Sequence, residues 1–127
     1  MVQLRDLNEA INDLGFQILA ISPDRLSKVG ETIGEHKISF TLLSDSQMIA
    51  ARAFGIAYTV DDATLKALAQ HGVDLEAASG EMHHELPVPA VFLVGTNLVI
   101  QFEYVNPDYS VRVHPELLLA AARLARR

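Results

Sequence analysis

The chain has 127 residues and a formal net charge of −6, and half of its residues are hydrophobic. This length fits a single domain, 1–127, with enough apolar side chains for a core. The acidic balance argues against nucleic acid as a partner, and no apolar run reaches the roughly 20 residues that span a bilayer. The sequence contains no cysteine, which excludes disulfides, thiolate metal sites and cysteine nucleophiles among these residues.

The first half of the chain alternates helical and strand patterns. An amphipathic helix ends at Gly15, and its apolar stripe consists of Leu4, Leu7, Ile11 and Leu14. The apolar run 16–22 predicts a strand, and a helix follows with Pro23 in its first turn. Residues 38–45 predict a second strand, and 46–55 a short helix.

The second half ends in a hairpin and a helix. Residues 61–72 predict a helix, and 73–87 a polar loop with about one helical turn. Two strands, 89–95 and 97–105, are joined at a Gly-Thr-Asn hairpin signal, and a helix begins near Pro115. Strands that alternate with helices predict an α/β fold. The closing hairpin and helix are typical of the second half of a thioredoxin-like fold.

Four polar residues follow the first two predicted strands: Ser22, Asp24, Ser44 and Asp45. Catalytic residues often lie at this edge of an α/β sheet. These residues also stand where helices need caps, and we expect them to be caps.

A group of titratable residues surrounds the polar loop: His71, Glu81, His83, His84 and Glu85. A zinc site needs three or four converging ligands, which adjacent loop histidines rarely supply. We therefore expect a solvated loop here, with no metal and no cofactor.

The order of several motifs resembles the AhpC/TSA (alkyl hydroperoxide reductase/thiol-specific antioxidant) family of peroxiredoxins. The motifs are LAISPD (19–24), ISFTLLSD (38–45), ARAFGI (51–56), the 65–80 insertion and the closing segment 85–121. The resemblance implies a thioredoxin-like, three-layer fold with a terminal antiparallel hairpin and a C-terminal helix. It also implies a family role in thiol-dependent peroxide reduction.

The chain departs from the family at its start. The resemblance implies an N-terminal strand and a Cys-Pro-x-Cys loop before a helix, and MVQLRDLNEAI looks like the continuation of that helix. The family also places a peroxide-binding arginine near the late strand, where this chain has Pro87-Val88-Pro89. We expect a domain truncated at its N-terminus, with no catalytic residue of its own and no peroxidase activity.

Val88, Pro89 and Ala90 are the candidate binding residues, and we call them the proline segment. The resemblance implies a cis Val88–Pro89 bond that faces the redox cysteine in relatives. Without that cysteine, the segment would be a vestigial platform for a peptide or protein partner.

If the family's sheet order holds, a strand is missing between 16–22 and 89–95. Unpaired strand edges favour association, so we expect a homodimer or other self-association. The alternative function is a non-catalytic binding or assembly module that uses the proline segment or an open edge. A further alternative is a small-ligand enzyme that uses Asp45 or His84. The charged start, where a signal peptide would be apolar, predicts a cytoplasmic protein.

Overall fold

A computed structural model describes residues 2–108 and 111–125 of the chain. The helices are α1 (Val2–Asp13), α2 (Leu26–His36), α3 (Ile49–Ala53), α4 (Asp62–Gln70), α5 (Leu75–Ser79) and α6 (Pro115–Ala125). The strands are β1 (Leu19–Ser22), β2 (Thr41–Ser44), β3 (Ala57–Thr59), β4 (Glu85–Pro87), β5 (Ala90–Val94) and β6 (Ile100–Val105). This mixed order confirms the predicted α/β class.

The described strands form three two-stranded sheets. β1 lies beside β2, β3 pairs with β4, and β5 pairs with β6. The last two pairs are antiparallel, with Thr59 opposite Glu85 in one and Ala90 opposite Val105 in the other. The β5–β6 ladder shifts register between Leu93 and Val94. Each described strand therefore has one ladder neighbour.

The chain divides into two compact units. The first, the hairpin unit, consists of Met1–Leu19, Ile38–Thr41 and Val88–Arg127. The second, the clamp unit, consists of Ala20–Lys37 and Leu42–Pro87. The chain passes from the clamp unit to the hairpin unit directly after Pro87. The expectation of one domain over 1–127 stays a prediction.

The hairpin unit is built around one apolar cluster. Its buried members are Ile11, Leu93, Val113, Leu118 and Ala122. Side chains from α1, both hairpin strands and α6 pack around them, including Leu7, Leu14, Phe102 and Tyr104. Three members of the predicted α1 stripe therefore face this core; the Leu4 side chain lies outside the described part.

The clamp unit buries smaller side chains from short elements. Met48 is fully buried, and Val29, Ala51 and Val60 are at most 5% exposed. Ala20 and Leu42 are also buried, one from each of the neighbouring strands β1 and β2.

The sequence did not predict β3 and β4. Each has three residues, and 73–87 contains α5 and β4 where mainly loop was expected. Strands this short give too few alternations for a period-two pattern to appear. None of the described helices is long and apolar enough to cross a membrane.

Candidate functional site

The proline segment joins two different ladders. Pro87 ends β4 opposite Ala57, and Ala90 begins β5 opposite Val105. Between them, the Pro89 carbonyl accepts a hydrogen bond of 3.1 Å from the Asn106 N–H. Proline lacks an N–H and suits a strand's first residue or its end. The two prolines thus separate the ladders of the two units.

The Val88–Pro89 bond is trans, because the described residues contain no cis peptide bond. The predicted cis bond is therefore wrong. The trans form of an X–Pro bond is favoured by about 0.5–1 kcal/mol unless its surroundings enforce the other isomer. Here the carbonyl bond to Asn106 extends the hairpin ladder with the trans form in place. Val88, Pro89 and Ala90 are half-buried, and a binding role for them stays a prediction.

Of the four residues predicted to cap helices, Asp45 binds the start of a helix, and the other three form a turn at the ends of β1 and β2. Both carboxylate oxygens of Asp45 accept from α3, Oδ1 from the Ala50 N–H at 3.1 Å and Oδ2 from the Ala51 N–H at 3.0 Å. The Asp45 cap is therefore confirmed. Because both oxygens are engaged, Asp45 offers little to a ligand, which weakens the small-ligand alternative.

Ser22, Asp24 and Ser44 are not helix caps, so that part of the prediction is wrong. Ser22 Oγ accepts from the Asp24 N–H at 3.1 Å and donates to Asp24 Oδ2 at 3.0 Å. This turn delays α2 until Leu26, because the Arg25 N–H donates to the Ala78 carbonyl instead. Ser44 Oγ donates to the Asp24 carbonyl at 2.6 Å and joins the ends of β1 and β2.

His36 and His114 lie at helix ends. His36 is the last residue of α2, where a positive charge complements the helix dipole. His114 precedes α6, and its Nδ1 accepts from the Glu116 N–H at 3.1 Å.

The most connected polar group in the clamp unit is formed by Arg52, His83 and Glu85. The Arg52 guanidinium binds the Glu85 carboxylate through two nitrogens, with Nε 3.3 Å from Oε1 and Nη2 against Oε2. This contact, chiefly its hydrogen bonds, lowers the pKa of Glu85 and raises that of Arg52. The Glu85 side chain is 15% exposed, so the pair lies at a partly covered surface. It fastens β4 to α3.

His83 and His84 lie in the loop before β4, as expected, but their side chains are partly buried rather than solvated, at 18% and 34% exposed. The His83 ring is 2.7 Å from the Ser46 carbonyl and accepts from the Glu85 N–H at 2.9 Å. His84 Nε2 is 2.7 Å from Glu76 Oε1, and the His84 carbonyl accepts from the Val60 N–H. The segment thus binds α3, α5 and the end of β3. No group of three or more His, Asp or Glu side chains in 2–108 and 111–125 is arranged to hold a metal ion.

These side chains border a shallow cleft in the clamp unit. It has room for about 20 Å³, little more than one water molecule, and its lining includes Pro23, Asp24, Ser79, His83, His84 and Glu85. Small-molecule sites are usually larger and mostly apolar, at about 300–1,000 Å³. The cleft is therefore a poor match for the small-ligand alternative.

The Arg52–Glu85 pair was missed because its members are 33 residues apart and no local pattern links them. A usable signal was the Gly55 stop followed by Ala57-Tyr58-Thr59, which has the residue types of a strand. A strand at 57–59 needs a partner strand. The segment before Val88 is a candidate for that partner, because enough chain lies between the two for them to pair.

Comparison with known proteins agrees with the motifs. A model of the AhpC/TSA family matches residues 1–103. A 53-residue stretch is 40% identical to the Haemophilus influenzae protein named "Putative peroxiredoxin bcp", covering 42% of this chain and 34% of that protein. The matched stretch thus spans about a third of the length of this curated relative.

The family match fits the α/β order of the helices and strands over residues 1–103. Since AhpC/TSA proteins are thioredoxin-like, the predicted fold class is confirmed, and this chain belongs to the AhpC/TSA family.

Proposed function

We propose that these residues provide the scaffold of a peroxiredoxin-like protein whose family role is thiol-dependent peroxide reduction. The observation that carries the proposal is the family match over residues 1–103. The similarity to the Haemophilus influenzae protein supports the same role. A cytoplasmic location is part of the proposal, and cell fractionation with an antibody to the chain tests it.

The 127 residues on their own are inactive as a peroxidase in this proposal. Peroxide reduction by a thiol begins with attack of a thiolate on the peroxide oxygen, which leaves a sulfenic acid that a second thiol resolves. The sequence has no cysteine to supply that thiolate. Serine hydroxyls and methionine thioethers do not form a low-pKa thiolate.

A peroxide-consumption assay tests this. The purified 127-residue chain is incubated with excess hydrogen peroxide and a dithiol reductant, beside a sample without protein. We expect the same consumption in both, because any methionine oxidation stops after one equivalent per residue. Multiple turnovers that need both the chain and the dithiol would contradict the proposal.

The second candidate is a binding or assembly module, favoured by the open edges of the described strands. Each belongs to a two-stranded sheet, and an extended segment can add to a free strand edge. β1 also exposes Leu19 and Ile21, at 55% and 48%. The partner we propose first is a second copy of the chain, giving a homodimer. A peptide that adds beside the proline segment is the alternative partner.

Sedimentation velocity over a range of concentrations tests self-association. We expect a dimer that Ile21→Glu weakens. Leu26→Glu is the matched control, because Leu26 is 75% exposed on α2 and outside every described strand. A monomer at all concentrations, or equal effects of the two variants, would contradict dimerisation through β1.

A further inference from the structure

The His83 ring bridges two backbone groups of the clamp unit. Its Nε2 is 2.7 Å from the Ser46 carbonyl, which only accepts hydrogen bonds, so Nε2 carries the proton. Its Nδ1 is 2.9 Å from the Glu85 nitrogen, which donates, so Nδ1 carries none. The two partners therefore fix the ring as the neutral Nε2–H tautomer.

A second proton on the ring is incompatible with this arrangement. Both ring nitrogens of a protonated histidine are donors, so Nδ1–H would face the Glu85 N–H across 2.9 Å. Glu85 Oε2 lies 4.0 Å from Nδ1, and the Arg52 guanidinium already binds it. Protonation thus removes one hydrogen bond and draws the carboxylate away from Arg52.

Charged groups lie near this ring on the neighbouring elements. Glu85 lies 4.0 Å from Nδ1 and is bound to Arg52 of α3, and Asp45 lies near Arg52. Asp24 and His84 border the same cleft as the ring, and Glu76 of α5 is bound to His84. Glu85 is the carboxylate within reach of Nδ1 and is the one that fastens β4 to α3.

We propose that His83 is a pH-operated switch at the start of β4. With the ring neutral, Nδ1 holds the Glu85 amide, and the Glu85 carboxylate remains on Arg52. With the ring protonated, the amide loses its acceptor and the carboxylate turns to Nδ1, which loosens β4 from α3. Histidine side chains ordinarily change charge between pH 5 and 8.

The neighbouring His84 responds in the opposite sense, which makes it an internal control. Its Nε2 is 2.7 Å from the Glu76 carboxylate, so a protonated His84 gains an ion pair. Its backbone φ of 53° is left-handed, a conformation that asparagine tolerates well. His84→Asn therefore removes one titrating ring with little change in the backbone.

Nuclear magnetic resonance of the unaltered chain tests the switch directly. The His83 ring is titrated between pH 8 and 5 while exchange of the Glu85 amide is followed, corrected for the intrinsic pH dependence. We expect the protection of this amide from exchange to fall about five- to tenfold as the ring becomes charged. This is the change that the loss of one hydrogen bond should produce. The Thr64 amide, which donates to Asp61, is the reference and should keep its protection.

Two variants sharpen the result. His83→Asn keeps an acceptor oxygen near the Nδ1 position and does not titrate, so Glu85 protection should become independent of pH; His84→Asn should leave the response unchanged. The switch is overturned if the ring does not titrate in this range, if Glu85 protection stays constant while it titrates, or if His84→Asn abolishes the response. The measurements on the unaltered chain decide the matter even if His83→Asn fails to fold.

Discussion

The two units of this chain are stabilised in different ways. The hairpin unit has one apolar cluster, to which α1, the β5–β6 hairpin and α6 all contribute. The clamp unit has several very short elements, such as α3, α5, β3 and β4, and a set of directed polar contacts, such as the Asp45 cap and the Arg52–Glu85 pair. Apolar burial is non-directional and scales with area, whereas polar contacts depend on geometry and on charge state.

This difference predicts how each unit responds to change. The hairpin unit should be sensitive to the size of its buried side chains and insensitive to pH. The clamp unit should tolerate more changes of size and respond to pH and to the loss of single polar atoms.

The largest effect is expected from Leu118→Ala, in the hairpin unit. Leu118 is 5% exposed and belongs to the apolar cluster, so its truncation leaves a cavity. The expected loss is about 2–5 kcal/mol in the free energy of unfolding, measured by urea denaturation. Leu117→Ala is the matched control. Leu117 is next to Leu118 on α6 but is 46% exposed, so its truncation should cost much less stability. Equal losses for the two would show that the cluster does not dominate this unit.

The next effect is expected from Asp45→Ala, in the clamp unit. This change removes two acceptors for the first amides of α3, at Ala50 and Ala51. Loss of a helix cap costs about 0.5–2 kcal/mol, measured by urea denaturation. Asp45→Asn keeps one acceptor oxygen but turns an NH2 group toward the second amide, so it should recover only part of the lost stability. If Asp45→Asn is as stable as the unaltered chain, the second of these hydrogen bonds does not stabilise α3.

The same difference explains what the sequence could predict. The hairpin, α1 and α6 are long enough for their apolar periods to appear, and the cluster they form follows from those stripes. β3 and β4 have three residues each, and the pair that fastens β4 joins Arg52 to Glu85 across 33 positions. Such a contact is set by tertiary geometry, which no local pattern encodes.

In the candidate site, too, some features could be predicted from the local sequence and others could not. Asp45 was predictable as a cap because a strand end followed by a helix calls for one at that position. The start of α2 was not, because the Ser22–Asp24 turn and the Arg25 bond to the Ala78 carbonyl displace it to Leu26. The trans Val88–Pro89 bond could not be deduced from the proline itself, which permits both isomers.

A pH-dependent effect is expected from Glu85→Gln. The Arg52 contact lowers the pKa of Glu85 below its ordinary 4.5 in the folded chain. The ionised Glu85 therefore stabilises the fold above pH 4.5, through Arg52 and, once His83 is protonated, also through that ring, and this contribution is lost as the pH falls through the lowered pKa. Thermal unfolding across acidic pH should show a steeper loss in the unaltered chain than in Glu85→Gln.

Glu31→Gln is the matched control for that experiment. Glu31 lies 3.8 Å from Lys28 on the surface of α2, and both side chains are largely exposed. Exposed pairs of this kind contribute little, so its acid profile should follow that of the unaltered chain. An identical profile for Glu85→Gln would show that Arg52 and Glu85 do not stabilise the clamp unit.

The smallest effect, and the one of opposite sign, is expected at the tip of the β5–β6 hairpin. Leu98 has a φ of 64° and is 84% exposed, so it bears a left-handed backbone cost without apolar burial in return. Glycine adopts this conformation without that cost but has more freedom in the unfolded chain. Leu98→Gly should therefore stabilise the hairpin unit by roughly 0.5 kcal/mol, the difference between these two contributions.

Val99→Gly shows whether backbone geometry is the cause. Val99 is next to Leu98, is 52% exposed and has no positive φ, so glycine there brings only the entropic cost and should destabilise. Both variants are compared by urea denaturation with the unaltered chain. If Leu98→Gly destabilises as much as Val99→Gly, exposed apolar side chains at this tip contribute to stability, and the hairpin unit would rest on more than its buried cluster.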